Sequence, residues 1–412
     1  VTRILERITA TTDVHSHLGE VPALLAHLQR ARASSLIVDC GDFFEGTGYY
    51  RLGGGGIEKS ILTGLYDVVA PGNHGWTHHF DPDLHKLTVC ANAVDDASGK
   101  QLFRRLHLAE VAGRTVAVTA IIGPQAFDAI PTTDRQGHRV TDPARALVDL
   151  LLEHHHEVDS WILLSHSGFE QDLQLADACP FLDVVFAGHC HSDHYAPESV
   201  DNTLVVKGPE LAAGYAVAEP VAHGWAARTH LFRPVAGLPP VLDPLGRRIE
   251  ALREQLAAPL GPLLGRWQEQ VPDRREVLAE VARHLHHATG TAVVLNETAL
   301  RPLRLGKVLR WQDVLDIEPF GNRLVHADLP PDLAADPAFL LARLTERAGP
   351  LLLYPDPLPP QLTSILTTDY LAQTIPGSRT RSAAPGLDLE LDHVVAHVLA
   401  DPALLTEEGG PL

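Results

Sequence analysis

Five short segments carry residues able to do acid–base or metal chemistry, and each closes an apolar run. They are "TTDVHSH" (Asp13, His15), "VDCGDFFEG" (Asp42), "VAPGNHG" (Asn73, His74), "LLSHSG" (His166) and "FAGHCH" (His189, His191). Imidazole nitrogen mixed with carboxylate and carboxamide oxygen suits borderline divalent ions such as Mn, Zn, Fe or Co. It does not suit calcium, nor a structural zinc held by cysteines. A single strand-end His or Asp is more often a cap or a surface residue, and Asp13 and Asp42 could each cap a following helix. Five such endings in one region, two of them with paired candidates, weigh against that reading. The neighbouring glycines let the backbone turn sharply where a side chain must project.

Those endings need a rigid floor. "ILERITATT", "SLIVDC", "YDVVAPG", "LTVCANAV", "TVAVTAII", "WILLSHSG", "DVVFAGH" and "TLVVKG" are short, Val- and Ile-rich runs stopped by Gly or Asp, which is how sheet strands read. Amphipathic helices lie between them. One starts at Pro22, with Leu24, Leu25 and Leu28 on one face. Alternating strand and helix indicates a layered α/β domain, in which sites form at the carboxyl ends of the strands. This first domain is expected over residues 1–235. A Pro/Gly-broken linker with one short helix follows over 236–262, and a second domain over 263–412. There the spacing of Val277, Leu278, Val281 and Leu285 predicts a helix, "TAVVLN" a strand, and the proline-rich residues 329–361 loops.

The 412 residues exceed one ordinary core, and 33 basic residues against 52 acidic give a net charge of −19. Such a surface repels nucleic-acid polymers and anionic membranes, so neither is expected as a partner. An anionic substrate would need something locally positive. No apolar run approaches a membrane span, the first residues show no leader pattern, and four cysteines lack paired spacing. A cytoplasmic location is the resulting expectation.

The ordered set D-x-H, G-D, G-N-H, H, G-H-x-H resembles the calcineurin-like metallophosphoesterases. With a second domain following, it resembles their 5′-nucleotidase family. The resemblance implies an α/β/β/α sandwich followed by a smaller α/β substrate-binding domain. It also implies two divalent metal ions sharing one aspartate, with a hydroxide between them that attacks phosphorus. Carried over, Asp13, His15, Asp42 and His191 would hold one ion, and Asp42, Asn73, His166 and His189 the other. Four positive charges would then offset the acidic protein locally.

His74 matches the family's catalytic histidine, which stabilises the transition state and assists the leaving group. In the family G-N-H-E-x-D, the Asp orients this His; here Gly75, Trp76 and Thr77 stand instead. The orienting carboxylate is missing, and Thr77 is its candidate replacement. His78 and His79 read as surface residues near the mouth. His17 reads as a support for the ligands, and "EHHHE" as a solvated helix end. Cys190 is expected to point away from the metals.

In the second domain, "VLNETALR" resembles the family's N-G-G-G-I-R segment through Asn296 and Arg301. "DVLDIEPFGNRLV" resembles its P-F-G-N segment, and "TTDYLA" its N-D-F-L-A segment. Phe320 and Tyr370 would then sandwich a nucleobase. Glu297, Thr298 and Ala299 replace the glycines, and the G-G-D-G that grips the ribose hydroxyls in the family is absent. The expected function is a two-metal phosphohydrolase acting on a nucleotide-like phosphate monoester. The alternatives are a cyclic-nucleotide phosphodiesterase or a metal- or nucleotide-binding relative without turnover.

Overall fold

Ile162 and Leu164 of the strand Ser160–His166 face one apolar core, while Trp161 and Leu163 face another. Period-two burial on both sides belongs to a strand covered above and below, and it sets the layering here. A computed structural model describes residues 3–191, 195–360, 362–383 and 390–400. Its two compact units are Val1–Leu252 and Arg253–Leu412.

The first unit is built on two sheets. One runs in the order Glu198–Val200, Thr203–Lys207, Val184–Ala187, Ser160–His166, Arg114–Ile122, Leu106–Val111. The other runs Trp225–Leu231, Gly214–Pro220, Arg7–Thr11, Ser35–Asp39, Val68–Val69. Their inner faces form a shared core that includes Ile8, Leu36, Val38, Val118, Leu164, Val184 and Phe186. Helices Pro143–His154 and Phe169–Ala178 bury Leu147, Leu150, Phe169 and Ala176 against the outer face of the first sheet. Asp142 caps the former helix by accepting from the amide of Arg145, with Pro143 in its first turn. Helices Val21–Ala31 and Gly56–Leu65 pack together, the former beside the strand Ser35–Asp39. The layers are therefore α/β/β/α. The run "LTVCANAV" is a strand only over Ala93–Asp95, in a separate two-stranded sheet with His138–Val140.

Strands Arg7–Thr11, Ser35–Asp39 and Val68–Val69 are mutually parallel, as are Arg114–Ile122, Ser160–His166, Val184–Ala187 and Thr203–Lys207. All five chemistry-bearing segments leave carboxyl ends of these parallel strands, or close them.

The second unit has one five-stranded sheet, ordered Leu351–Tyr354, Val293–Asn296, Ser364–Thr368, Leu324–Asp328, Arg379–Ser382. Val293, Leu295 and Leu366 face helices Arg274–Thr289 and Leu391–Leu399, and Val294 and Ile365 face the opposite core. Asp273 caps the first of these helices, and Gly290, at φ 68°, ends it.

The expectation of loops over residues 329–361 is corrected. Helices Pro331–Ala335 and Pro337–Ala348 and the strand Leu351–Tyr354 lie there. Pro331 and Pro337 occupy first helical turns, where their missing N–H costs nothing, and Leu340, Leu344 and Ala348 bury one face of the longer helix. The Pro/Gly-broken stretch ahead of the second sheet holds a helix of 14 residues, Asp243–Leu256. Among the described residues no helix is long and apolar enough to cross a membrane.

Candidate active site

The loops above the parallel strands are sharply bent. Asp13, His15, Ser16, Asp42, Glu45 and His189 all have φ between 48° and 74°, the left-handed region that side chains seldom occupy. Backbone strain concentrated this way is a feature of functional sites. It is held by cross-loop bonds: the amides of Asp13, His15 and Ser16 donate to the carbonyls of Gly41, Asp42 and Phe43 at 3.0, 2.9 and 3.0 Å. A Cβ on Gly72 would lie 2.0 Å from Asp42 Oδ1, so only glycine lets the 72–74 turn approach this carboxylate.

The bends bring the sequence-derived candidates of the first unit together. Asp13, His15 and His191 form one group whose ligand atoms lie within 4.8 Å of one another, and Asp42, His166 and His189 form a second. Asp42 is common ground: its Oδ2 is 3.8 Å from His15 Nε2 and 3.2 Å from His166 Nε2. Asn73 Oδ1 lies 3.2 Å from His166 Nε2, and His15 Nε2 lies 3.2 Å from His191 Nε2. Asp13, Asp42 and His166 are at most 3% exposed, whereas the His191 side chain is 48% exposed, which leaves the cluster open on one side.

Neighbours fix the ring and carboxylate orientations. His166 Nδ1 meets the carbonyl of Cys40 at 2.8 Å, leaving Nε2 toward Asp42. Thr12 donates to Asp13, and the amide of His189 donates to the same carboxylate. His17 Nδ1 lies 3.2 Å from the carbonyl of His15. Cys190 Sγ accepts from the amide of Phe169, away from both groups.

The electrostatics suit cation binding. Burial lowers His15 to about 3 and His189 to about 4, so both are neutral imidazoles, the form that binds metal. Burial raises Asp13. Burial would raise Asp42 also, but the charges and hydrogen bonds of the surrounding histidines, His166 foremost, hold it below the usual carboxylate range. His166 feels the reciprocal effect: burial disfavours its proton, yet Asp42 and Asp13 raise it to about 9. Buried carboxylates, the neutral imidazoles of His15 and His189, and a carboxamide oxygen, gathered about Asp42, fit a divalent metal centre, whose charge would take the place of the His166 proton.

His74 lies against this cluster, in a third group with His15 and Asp42. Its amide donates to Asp42 Oδ1 at 2.8 Å, and its ring meets that of His15 edge-on with centroids 5.0 Å apart. Three expectations around it are corrected. The carboxylate on its ring is not missing, because Glu45 Oε2 lies 2.8 Å from His74 Nδ1. Thr77 is exposed and makes no hydrogen bond to the imidazole among the described contacts. His79 is no surface residue: it is 3% exposed and bonded to Thr88, because the turn packs its far side into the core. His78 is half-buried, stacked on Phe44 and bonded to Tyr50. Burial lowers the pKa of His74, but the bond to Glu45 and the charge of Asp42 outweigh this and raise it.

The candidates in the second unit gather at one end of the three central strands of its sheet. Asn296 ends a strand parallel to Ser364–Thr368, and Tyr370 follows the latter by two residues. Phe320 precedes the strand Leu324–Asp328, whose Leu324 pairs with Thr368. Asp369 ties the two turns together, accepting from the amide of Arg323 while its own amide donates to the carbonyl of Arg323. Glu318, not singled out from the sequence, shapes the Phe320 turn by accepting from the amides of Gly321 and Asn322. Phe320 and Tyr370 are 50% and 48% exposed, unusual for aromatics with only a packing role. Arg301 sits over Phe320, its Cζ 5.2 Å from the ring centroid. Asn296 is buried and donates to Thr298.

Residues 6–193, most of the first unit, match the family model of the calcineurin-like phosphoesterases. Over 96% of its length the chain shares the fold of 5′-nucleotidases of known structure. The 5′-nucleotidase precursor of Thermus thermophilus aligns with a TM-score of 0.67 at 18% identity, over 96% of both chains. The 5′-nucleotidase of Candida albicans aligns with a TM-score of 0.65 at 13% identity, over 97% of this chain and 98% of that one. Among curated relatives, an uncharacterised metallophosphoesterase of Bacillus subtilis is 25% identical over 225 residues, 50% of this chain and 46% of its own length. The chain covers less than half the length of the curated relatives it matches.

Proposed function

We propose that the chain hydrolyses phosphoesters with metal ions, a reading supported by the match of residues 6–193 to the calcineurin-like phosphoesterases. On this reading the substrate is a nucleotide-like phosphate monoester and the centre takes two divalent ions. Asp13, His15, Asp42 and His191 hold one ion, and Asp42, Asn73, His166 and His189 the other. The observation that carries this is the position of Asp42, buried and within ligand distance of both histidine sets. Bound ions would supply charge stabilisation for the phosphoryl oxygens and acidify a water between them. His74, which lies against His15 and Asp42 but is assigned to neither ligand set, acts as the acid that meets the leaving oxygen, through the ring nitrogen opposite its Glu45 bond. Phe320 and Tyr370 offer flat apolar faces to a base, and Arg301 a planar fork to an anionic or polar group.

The test is phosphate release by the purified chain from nucleoside 5′-monophosphates, cyclic nucleotides and sugar phosphates, with added Mn²⁺ or with chelator. Nucleoside monophosphates should be the best substrates, and chelator should abolish turnover. Preferred opening of a cyclic phosphodiester would replace the monoester assignment. Absence of metal-dependent release from every class would overturn the reading.

A further inference from the structure

The turn that carries His74 is gripped from one side. Glu45 reaches it with both carboxylate oxygens: Oε2 lies 2.8 Å from His74 Nδ1, and Oε1 accepts from the amide of Gly75 at 2.8 Å. The reach depends on the backbone, because Glu45 sits at φ 65° and Gly46 at φ 100°. A Cβ on Gly46 would lie 3.1 Å from His15 Cβ, so this bend is pressed against the metal-site loop itself. On the other side, Trp76 is 1% exposed and anchors the turn in the core, which leaves Thr77 facing solvent.

We infer that Glu45 is the positioning residue for His74, doing from the Asp42 loop what a carboxylate three residues after the histidine would otherwise do. This rests on the reading of His74 as the acid at the reacting phosphate. A carboxylate that accepts from Nδ1–H fixes one tautomer and leaves Nε2 as the nitrogen available to substrate. The second bond, to Gly75, prevents the carboxylate from swinging away from the ring. Because Glu45 and Asp42 share a loop, the acid and the shared metal ligand are set by the same bend. Asp42 Oδ1 also accepts from the amide of His74, so both ends of that short loop hold the histidine.

Glutamine at this position offers only one acceptor. It can satisfy the ring N–H or the Gly75 amide, but it turns an N–H donor toward the other. Glu45→Gln should therefore lower kcat on a nucleoside 5′-monophosphate about 10–100-fold, the usual cost of losing such a partner, with metal content unchanged. KM should hardly move. The loss should be much smaller on p-nitrophenyl phosphate, whose leaving group needs little protonation. His74→Ala sets the floor for the series. Thr77→Asp should change little, alone or added to Glu45→Gln, because that position faces solvent.

A measurement independent of turnover is the histidine tautomer read by nitrogen NMR in the full chain loaded with diamagnetic Zn²⁺, with His74 assigned by difference from His74→Ala. In its neutral ring the wild-type His74 should be the Nδ1–H tautomer, and Glu45→Gln should lose that preference. Should Glu45→Gln fail to fold, Glu45→Asp keeps the charge, is one methylene short, and is read in the same way. An unchanged tautomer or equal losses on both substrates would overturn the assignment. A wild type with the Nδ1–H tautomer but no phosphoester turnover would instead overturn the proposed function and leave the role of Glu45 standing.

Discussion

The two units build their candidate sites by different means. In the first, the side chains stand on carboxyl ends of parallel strands from two sheets, and several of those residues are locked in left-handed backbone. In the second, they stand on turns at the ends of the central strands of a single sheet, held by Asp369 and Glu318 through backbone amides. The first arrangement fixes atoms to within hydrogen-bonding tolerance and suits bond-making chemistry, where small displacements are costly. The second presents half-exposed aromatic faces, which tolerate displacement and suit recognition. The difference predicts that mutations in the first unit act on turnover and metal, and mutations in the second on binding.

The largest effect should come from Asp42→Asn. Its carboxamide oxygen can still accept from the amide of His74, so the turn stays, but the NH₂ group cannot ligate an ion. Metal analysis should show occupancy reduced for both ions. Activity should fall about 10³-fold or more, matching several kcal/mol of charge stabilisation. Two tightly bound equivalents remaining in the mutant would mean that Asp42 is not shared, and the contrast between the units would lose its main support.

How far each region can be read in the sequence follows the same division. Asp13, His15, Asp42, Asn73, His166, His189 and His191 each follow or end an apolar run beside glycine or another candidate ligand, a local signal that needs no long-range knowledge. Glu45 carries no such mark. It lies three residues past Asp42 in a loop, and only its φ of 65° turns it toward a histidine 29 positions away. The gap at Thr77 is the available hint, since a missing carboxylate invites a search for another. His79 misleads because histidine composition says nothing about which side of a turn faces the core. The helices within 329–361 are hidden because proline reads as a loop former, although Pro331 and Pro337 stand in first helical turns.

A middle-sized effect should follow removal of one aromatic wall. Phe320→Ala or Tyr370→Ala should cost about 1–3 kcal/mol of nucleotide binding, seen mainly in KM. On p-nitrophenyl phosphate the same variants should behave like wild type. The two need not be equal: Arg301 covers a face of Phe320, so a base stacking there must use the other face or displace the guanidinium. Equal losses on both substrates would make the aromatics packing residues and remove the second unit from recognition.

The smallest effect concerns the sugar. Strict selection for a ribose hydroxyl requires a buried polar partner that is left unsatisfied when the hydroxyl is missing, and such a site rejects the deoxy analogue by orders of magnitude. After Tyr370 the chain reads "LAQTIPGSRTRS", with no carboxylate. The strand Arg379–Ser382 that follows is exposed along its length, so any group it offers is already solvated. The nearest acid in sequence, Asp369, has its Oδ1 engaged by the amides of Arg323 and Tyr370. Where neither Asp369 nor this strand supplies a desolvated partner, losing the 2′-hydroxyl removes at most one solvent-competing hydrogen bond, worth about 0.5–1.5 kcal/mol. The kcat/KM values for ribo- and 2′-deoxyribonucleoside 5′-monophosphates should therefore agree within roughly tenfold. A ratio of a thousand or more would require a buried polar group that meets the hydroxyl. It would give the second unit the same fixed geometry as the first, and the contrast between them would fail at its weaker side.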